Sequence, residues 1–189
     1  MDFSREKAWS VLTEHVGDMA LRKHCVAVEI AMRAYAEKFG EDPEYWGAVG
    51  LLHDIDFDKF PDEHPRHAAE LLAPYGYDRQ FADDIMAHSP DWAPERTRLQ
   101  KTLVAVDPLT GFILACALVR PDKSLDNLEL KSILKKMKDN SFSRAIKREW
   151  IIDSAQALGV GLEEHMEFVR TALAEAVKTP LYRAARLVG

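Results

Sequence analysis

Four histidines, His24, His53, His64 and His88, each fall on or at the end of a stretch that reads as helix, and Asp54 stands directly beside His53. Four helices that converge would gather these imidazoles around a carboxylate. Neutral imidazole and carboxylate together suit Mn, Fe, Co, Ni or Zn, whereas a centre made of oxygens alone suits Mg or Ca. A solitary helical histidine is most often a satisfied residue of core or surface, so position has to carry the argument. His24 follows Leu21 by three residues and precedes Val28 by four, which places it on the flank of an apolar stripe and points it inward. Asp107 interrupts the apolar run 103–119, where a buried carboxylate needs a positive partner or a metal. The competing role for Asp107 is to N-cap a helix that Pro108 begins. Asp54, Asp56 and Asp58 also open like a calcium-binding EF-hand loop, but Lys59 stands where the turn needs Gly and Pro65 where the bidentate Glu belongs, so calcium is set aside.

The elements that must position these residues are legible from periodicity and caps. Leu21, Cys25, Val28, Met32, Tyr35 and Phe39 step by four and three along one helix face, and Gly40 can close that helix. Asp42 before Pro43 is an N-cap with proline at the first helical position, opening a short helix that carries Trp46, Val49, Leu51 and Leu52 toward His53. The acidic loop 54–63 follows. Pro65 can start a helix running through Leu72, and another is expected from Asp78 to His88, closed by Ser89, Pro90 and Pro94. The run around Asp107 reads as a core helix ending near Arg120, and further helices are expected around 125–138, 146–158 and 162–178. No alternating strand pattern occurs, and no repeat or linker marks a boundary. The expectation is an all-α protein.

The string LLHDIDFDKFPDEHPRHAAELL resembles the HD superfamily of metal-dependent phosphohydrolases, in its subgroup with an HDIG-like motif, and the likeness extends over about residues 20–120. The resemblance implies an HD-type helical bundle in one domain, 1–189, with a metal-binding core over about 20–120 and a C-terminal helical extension over 121–189. It also implies that His24, His53, Asp54 and Asp107 hold one metal. Where the family holds two, Asp54 bridges them and His64 and His88 complete the second site. The stretch VDPLTGFILACALVRP also looks like a region of uncharacterised family members. Some positions depart from the pattern: the HDIG glycine is Asp56, no His-His doublet occurs at His88 and no GYP tripeptide follows, which argues against cyclic-dinucleotide cleavage. Phe57 stands where the alarmone hydrolases and nucleotidases of the family have Glu. Two metals sharing a water would not need that Glu. Among the catalytic candidates Asp54 leads, and Asp58 is second as a base, against the simpler reading that Asp56, Asp58, Asp62 and Glu63 form a solvated acidic loop. His67, one turn past His64, is a candidate substrate contact.

Composition narrows the partners. The chain has 189 residues, enough for one well-cored domain, and a net charge of −6, which gives no overall footprint for a nucleic-acid polymer. Residues 120–148 contain nine Lys/Arg against four acids, and Arg120 and Arg148 are candidate contacts for a substrate phosphate. The functional expectation is hydrolysis of a phosphate ester of a nucleotide or other small metabolite with one or two transition-metal ions. The rivals are a di-iron oxygenase and a non-catalytic signalling or ligand-binding module. The N-terminus lacks the pattern of a signal peptide and the run 103–119 reads as core rather than membrane span, so a cytoplasmic protein is expected. Cys25 and Cys116 read as reduced, buried packing residues.

Overall fold

Helix boundaries follow local capping chemistry. Asp18 accepts the amide of Ala20 at 2.7 Å and starts the helix Met19–Phe39, which Gly40 ends at φ +72° while Glu41 N–H returns to the Ala36 carbonyl. We number the helices α1 (Arg5–His15), α2 (Met19–Phe39), α3 (Pro43–Leu52), α4 (Ala68–Leu72), α5 (Arg79–Met86), α6 (Arg98–Leu118), α7 (Leu130–Met137), α8 (Arg148–Leu158), α9 (Leu162–Ala176) and α10 (Pro180–Arg183). A 3-10 turn, Ala73–Tyr75, follows α4. The computed structural model describes residues 1–92, 94–183 and 185–188, and among these residues there is no strand, so the all-α expectation holds. Asp42 caps α3 through the Glu44 amide and Asp78 caps α5 through the Phe81 amide. The helix expected from Pro65 is shorter: residues 61–67 form turns and α4 starts only at Ala68.

The chain divides into two compact units, Met1–Val104 and Ala105–Gly189, with the division falling inside the unbroken helix α6. In the first unit α2 and α3 pack closely because α3 presents Gly47 and Gly50. A Cβ on Gly50 would sit 2.9 Å from Met32 Cγ and 3.1 Å from the Glu29 backbone, so only glycine allows this approach. Fully buried Glu29 accepts from Arg5 Nε at 3.1 Å and Arg33 Nε at 3.0 Å, and Arg33 continues to Glu44 at 2.6 Å, tying α1, α2 and α3 together. Paired in this way, the carboxylate escapes the cost of an isolated buried charge.

The start of α6 is fixed by a reciprocal capping box: Thr97 N–H donates to Gln100 Oε1 at 3.0 Å and Gln100 N–H donates to Thr97 Oγ1 at 3.3 Å. Gln100 also donates to buried Asp84, which takes the Tyr45 hydroxyl at 2.7 Å. The most apolar window of α6 is long and hydrophobic enough to cross a membrane by composition, but 61% of it is buried, as in a core helix. Pro108 lies inside α6, which removes the N-capping alternative for Asp107.

In the second unit Phe112, Ile133, Ile151, Val169 and Leu173 are buried. Buried His165 donates from Nε2 to the Ala105 carbonyl at 3.1 Å, joining α9 to α6 within that unit.

Candidate metal centre

Asp54 leaves the end of α3 into a run of turns, and three imidazoles of the first unit surround one of its oxygens. Asp54 Oδ1 lies 3.2 Å from His64 Nε2, 3.3 Å from His53 Nε2 and 3.9 Å from His88 Nε2, while Oδ2 lies 3.6 Å from His24 Nε2. The His64 and His88 Nε2 atoms are 2.8 Å apart. His24 comes from α2, His53 from the C-terminal end of α3, His64 from the turns after it and His88 from just beyond α5, so four separate segments contribute. The His24 and His53 rings meet edge to face at 5.1 Å.

Three of these rings have a fixed tautomer. His53 Nδ1 faces the Gly50 carbonyl at 2.8 Å, His88 Nδ1 the Ile85 carbonyl at 2.6 Å and His64 Nδ1 the Asp56 Oδ1 at 2.6 Å. A carbonyl or carboxylate oxygen only accepts, so each Nδ1 carries a proton and Nε2 is the atom that each ring turns toward Asp54. Two lone pairs 2.8 Å apart repel unless a cation or a proton stands between them. Ligand atoms bound about 2 Å from one ion lie roughly 3 Å from each other, the spacing found here. The donor set therefore fits a transition metal. Asp54 Oδ1, His64 and His88 form one group, and Oδ2 faces His24, an arrangement in which one carboxylate can serve two positions. Burial opposes ionisation of Asp54, but His53, His24 and His88 outweigh it and hold the carboxyl well below the usual carboxylate range.

Asp107 lies in mid-α6, half-buried, with its backbone carbonyl accepting from Thr110 Oγ1 at 2.9 Å. Asp56 corrects the solvated-loop reading: it is fully buried and divides its oxygens between His64 Nδ1 and the His67 amide, the latter at 3.0 Å. Its place between apolar neighbours, two residues past Asp54, is the available sequence signal. Arg96 was also missed. It donates to the Ala87 carbonyl at 2.7 Å and the Ser89 carbonyl at 2.8 Å, bracketing His88. Cys25, read as packing alone, is buried with its sulfur within 4.8 Å of ligand atoms of His53 and Asp54.

The remaining candidates have other duties. Asp58 Oδ2 accepts the amides of Gly17 at 2.7 Å and Asp18 at 3.1 Å, tying the loop to the start of α2. His67 stacks on Phe60 with centroids 4.0 Å apart and lies 3.2 Å from Glu63 and 3.4 Å from Glu70, whose hydrogen bonds raise its pKa. In the second unit Arg120 pairs bidentately with Asp122 at 3.0 and 3.1 Å. Arg148, expected to meet a phosphate, instead donates to the carbonyls of Ser143, Ile146 and Phe142 and lies 4.6 Å from the Phe112 ring centre. Those contacts turn the guanidinium onto its own chain. Phe57, at the position where Glu was sought, is 42% exposed and lies edge-on to His64 with ring centres 5.2 Å apart.

No curated protein and no solved structure matches the chain significantly. The family model of the HD domain matches residues 21–117, a span that contains His24, the His53-Asp54 doublet, His64, His88 and Asp107. With that match covering just over half of its length, the chain belongs to the HD-domain family.

Proposed function

We propose that the protein is a hydrolase of phosphate esters, acting on a nucleotide or other small phosphorylated metabolite in the cytoplasm with one or two transition-metal ions. The observation that carries this reading is the convergence of three Nε2 atoms on Asp54 Oδ1, each ring oriented by a proton held at Nδ1. His24, His53, Asp54 and Asp107 form the proposed first position, Asp107 being assigned from the family pattern. Asp54, His64 and His88 form the second. When bound, the metal polarises a phosphoryl oxygen and makes water nucleophilic at neutral pH.

The chain's own residues do the rest. The Gly50 and Ile85 carbonyls and Asp56 orient the rings, and Asp54, kept ionised by its histidine neighbours, supplies negative charge on both oxygens. His24 and His64 keep 23% and 14% side-chain exposure, so these two rings form the accessible edge of a cluster whose Asp54 and His53 are buried. Asp58, His67 and Arg148 hold the chain itself, and the proposal does not depend on them; Arg120 remains a candidate phosphate contact through an exposed ion pair that a ligand can displace.

The test is a screen of phosphomonoesters, nucleotides and cyclic dinucleotides with metal-stripped protein reloaded with Mn, Fe, Co, Ni, Zn or Mg. Turnover with a transition metal, abolished in Asp54→Asn while helical circular dichroism persists, is the expected result. Full turnover and full metal content in Asp54→Asn would overturn the reading. Oxygen consumption by the iron form without phosphate release would favour redox chemistry instead.

A further inference from the structure

Within the first unit a cleft of about 260 Å³ is lined by Pro65, Arg66, Met86, Ser89, Asp91 and Trp92. Two of its wall residues are the direct chain successors of candidate ligands: Pro65 follows His64, and Ser89 follows His88. The Arg96 clamp on the Ala87 and Ser89 carbonyls holds that second wall in place. Pro65, Met86 and Trp92 supply a proline ring, a polarizable thioether and an indole, surfaces that suit a flat apolar group. The charged residues at the cleft neutralise each other. Arg66 and Asp91, 74% and 83% exposed, form a loose pair at 3.8 Å, so the cleft offers no net charge to an anion. Its volume lies below the usual range for a whole-metabolite pocket, which begins at about 300 Å³, and suits a ring-sized portion of one.

We propose that this cleft seats a flat aromatic or heteroaromatic ring of the ligand while its phosphoryl group lies at the histidine cluster. The inference rests on the phosphate-ester reading and deepens it: the preferred substrate carries its phosphate close to a planar ring. Burial of such a ring against an indole and a thioether favours an aromatic ligand over an aliphatic one by about tenfold or more.

The test is equilibrium binding, which does not require turnover. Metal-loaded protein is titrated calorimetrically with phenylphosphonate and with methylphosphonate, which share the anionic head and differ only in the ring. Wild type is expected to bind phenylphosphonate at least about tenfold more tightly. Trp92→Ala should lose that preference, with methylphosphonate affinity and metal content unchanged, whereas Trp92→Phe should retain most of it. Met86→Gln, a change that preserves the helix, should reduce it. Equal affinity for the two phosphonates in wild type, no binding of either, or a preference that survives in both Trp92→Ala and Met86→Gln overturns the proposal. Ring preference without phosphate-ester turnover would keep the cleft and sink the hydrolase reading, whereas turnover without ring preference would do the reverse.

Discussion

Asp56 acts on the candidate centre only through His64, and its chemistry predicts how much it matters. A buried carboxylate that takes the imidazole Nδ1–H fixes the ring and raises the basicity of Nε2, and removing such a partner commonly costs 10–100-fold in metal affinity. Asp56→Ala is therefore expected to weaken metal binding by about that factor, measured by competition with a chromophoric chelator, with Asp56→Asn in between because its amide oxygen still accepts. An unchanged affinity in Asp56→Ala would show that His64 is oriented without it. The same carboxylate also holds the His67 amide at the start of α4, so the alanine variant should lose some stability as well. Asparagine keeps one acceptor for these two donors, so it serves His64 or the His67 amide but not both, and melting temperature measured beside metal affinity separates the two effects.

At the scale of elements, α1 is tied to the motif loop and the 3-10 turn through a single imidazole. Lys59 can only donate, so its contact with His15 Nδ1 at 3.1 Å leaves the ring proton on Nε2, which meets the Tyr75 hydroxyl at 2.9 Å. Burial first, and then the Lys59 charge, lower the pKa of His15 below its usual value of 6.5. A base whose folded pKa is depressed is neutral in both states above its unfolded pKa. As pH falls below about 6.5, the unfolded chain takes up the proton first and the folded state loses stability, until the folded pKa is passed. The melting temperature should therefore fall between pH 7 and pH 5, and fall less steeply in His15→Asn. Parallel slopes for the two proteins would remove His15 from the acid response. The α2–α3 contact has a different physical basis: Gly47 and Gly50 admit α2, and the Gly50 carbonyl then orients His53, so one glycine serves both packing and the candidate site.

For the molecule as a whole, the two groups of ligand atoms imply a metal stoichiometry. Asp54 directs Oδ1 toward His64 and His88 and Oδ2 toward His24, so reconstituted protein is expected to approach two ions per chain, and His64→Ala/His88→Ala to retain about one, with hydrolysis strongly impaired. Elemental analysis after removal of loosely bound metal gives the count. Saturation of wild type at one ion, with an active double variant, would reduce the centre to the single-ion set. Charge is also organised by unit. In the basic stretch 120–148, Arg120 pairs with Asp122, Lys131 with Glu129 and Lys136 with Asp139, while Arg148 turns onto backbone carbonyls. Much of the positive charge that suggested a phosphate surface is thus used within its own unit.

Features governed by neighbours a few residues apart were open to sequence reasoning. Asp42 and Gly40 act as the expected caps, and Asp78 caps the helix expected to start there, because a cap depends on an amide or carbonyl two to five positions away. The apolar stripe from Leu21 to Phe39 lies on one helix because burial imposes a period of 3.6 residues, and the ligand candidates could be named because metal chemistry restricts residue type. What depended on contacts between distant segments was decided by tertiary structure. Asp56 resembles the exposed acids around it until His64 and the His67 amide close over it, and Arg148 resembles a free cation until the 139–147 loop folds onto its guanidinium. The start of α6 at Thr97 and Gln100 overrides the local preference of Pro108 to begin a helix, because the preceding turns and the Asp84 contact already hold the backbone helical. Tautomers follow the same rule: which nitrogen of His53, His64 or His88 carries its proton is set by the acceptor that folding places beside Nδ1, a property that neither residue type nor spacing encodes.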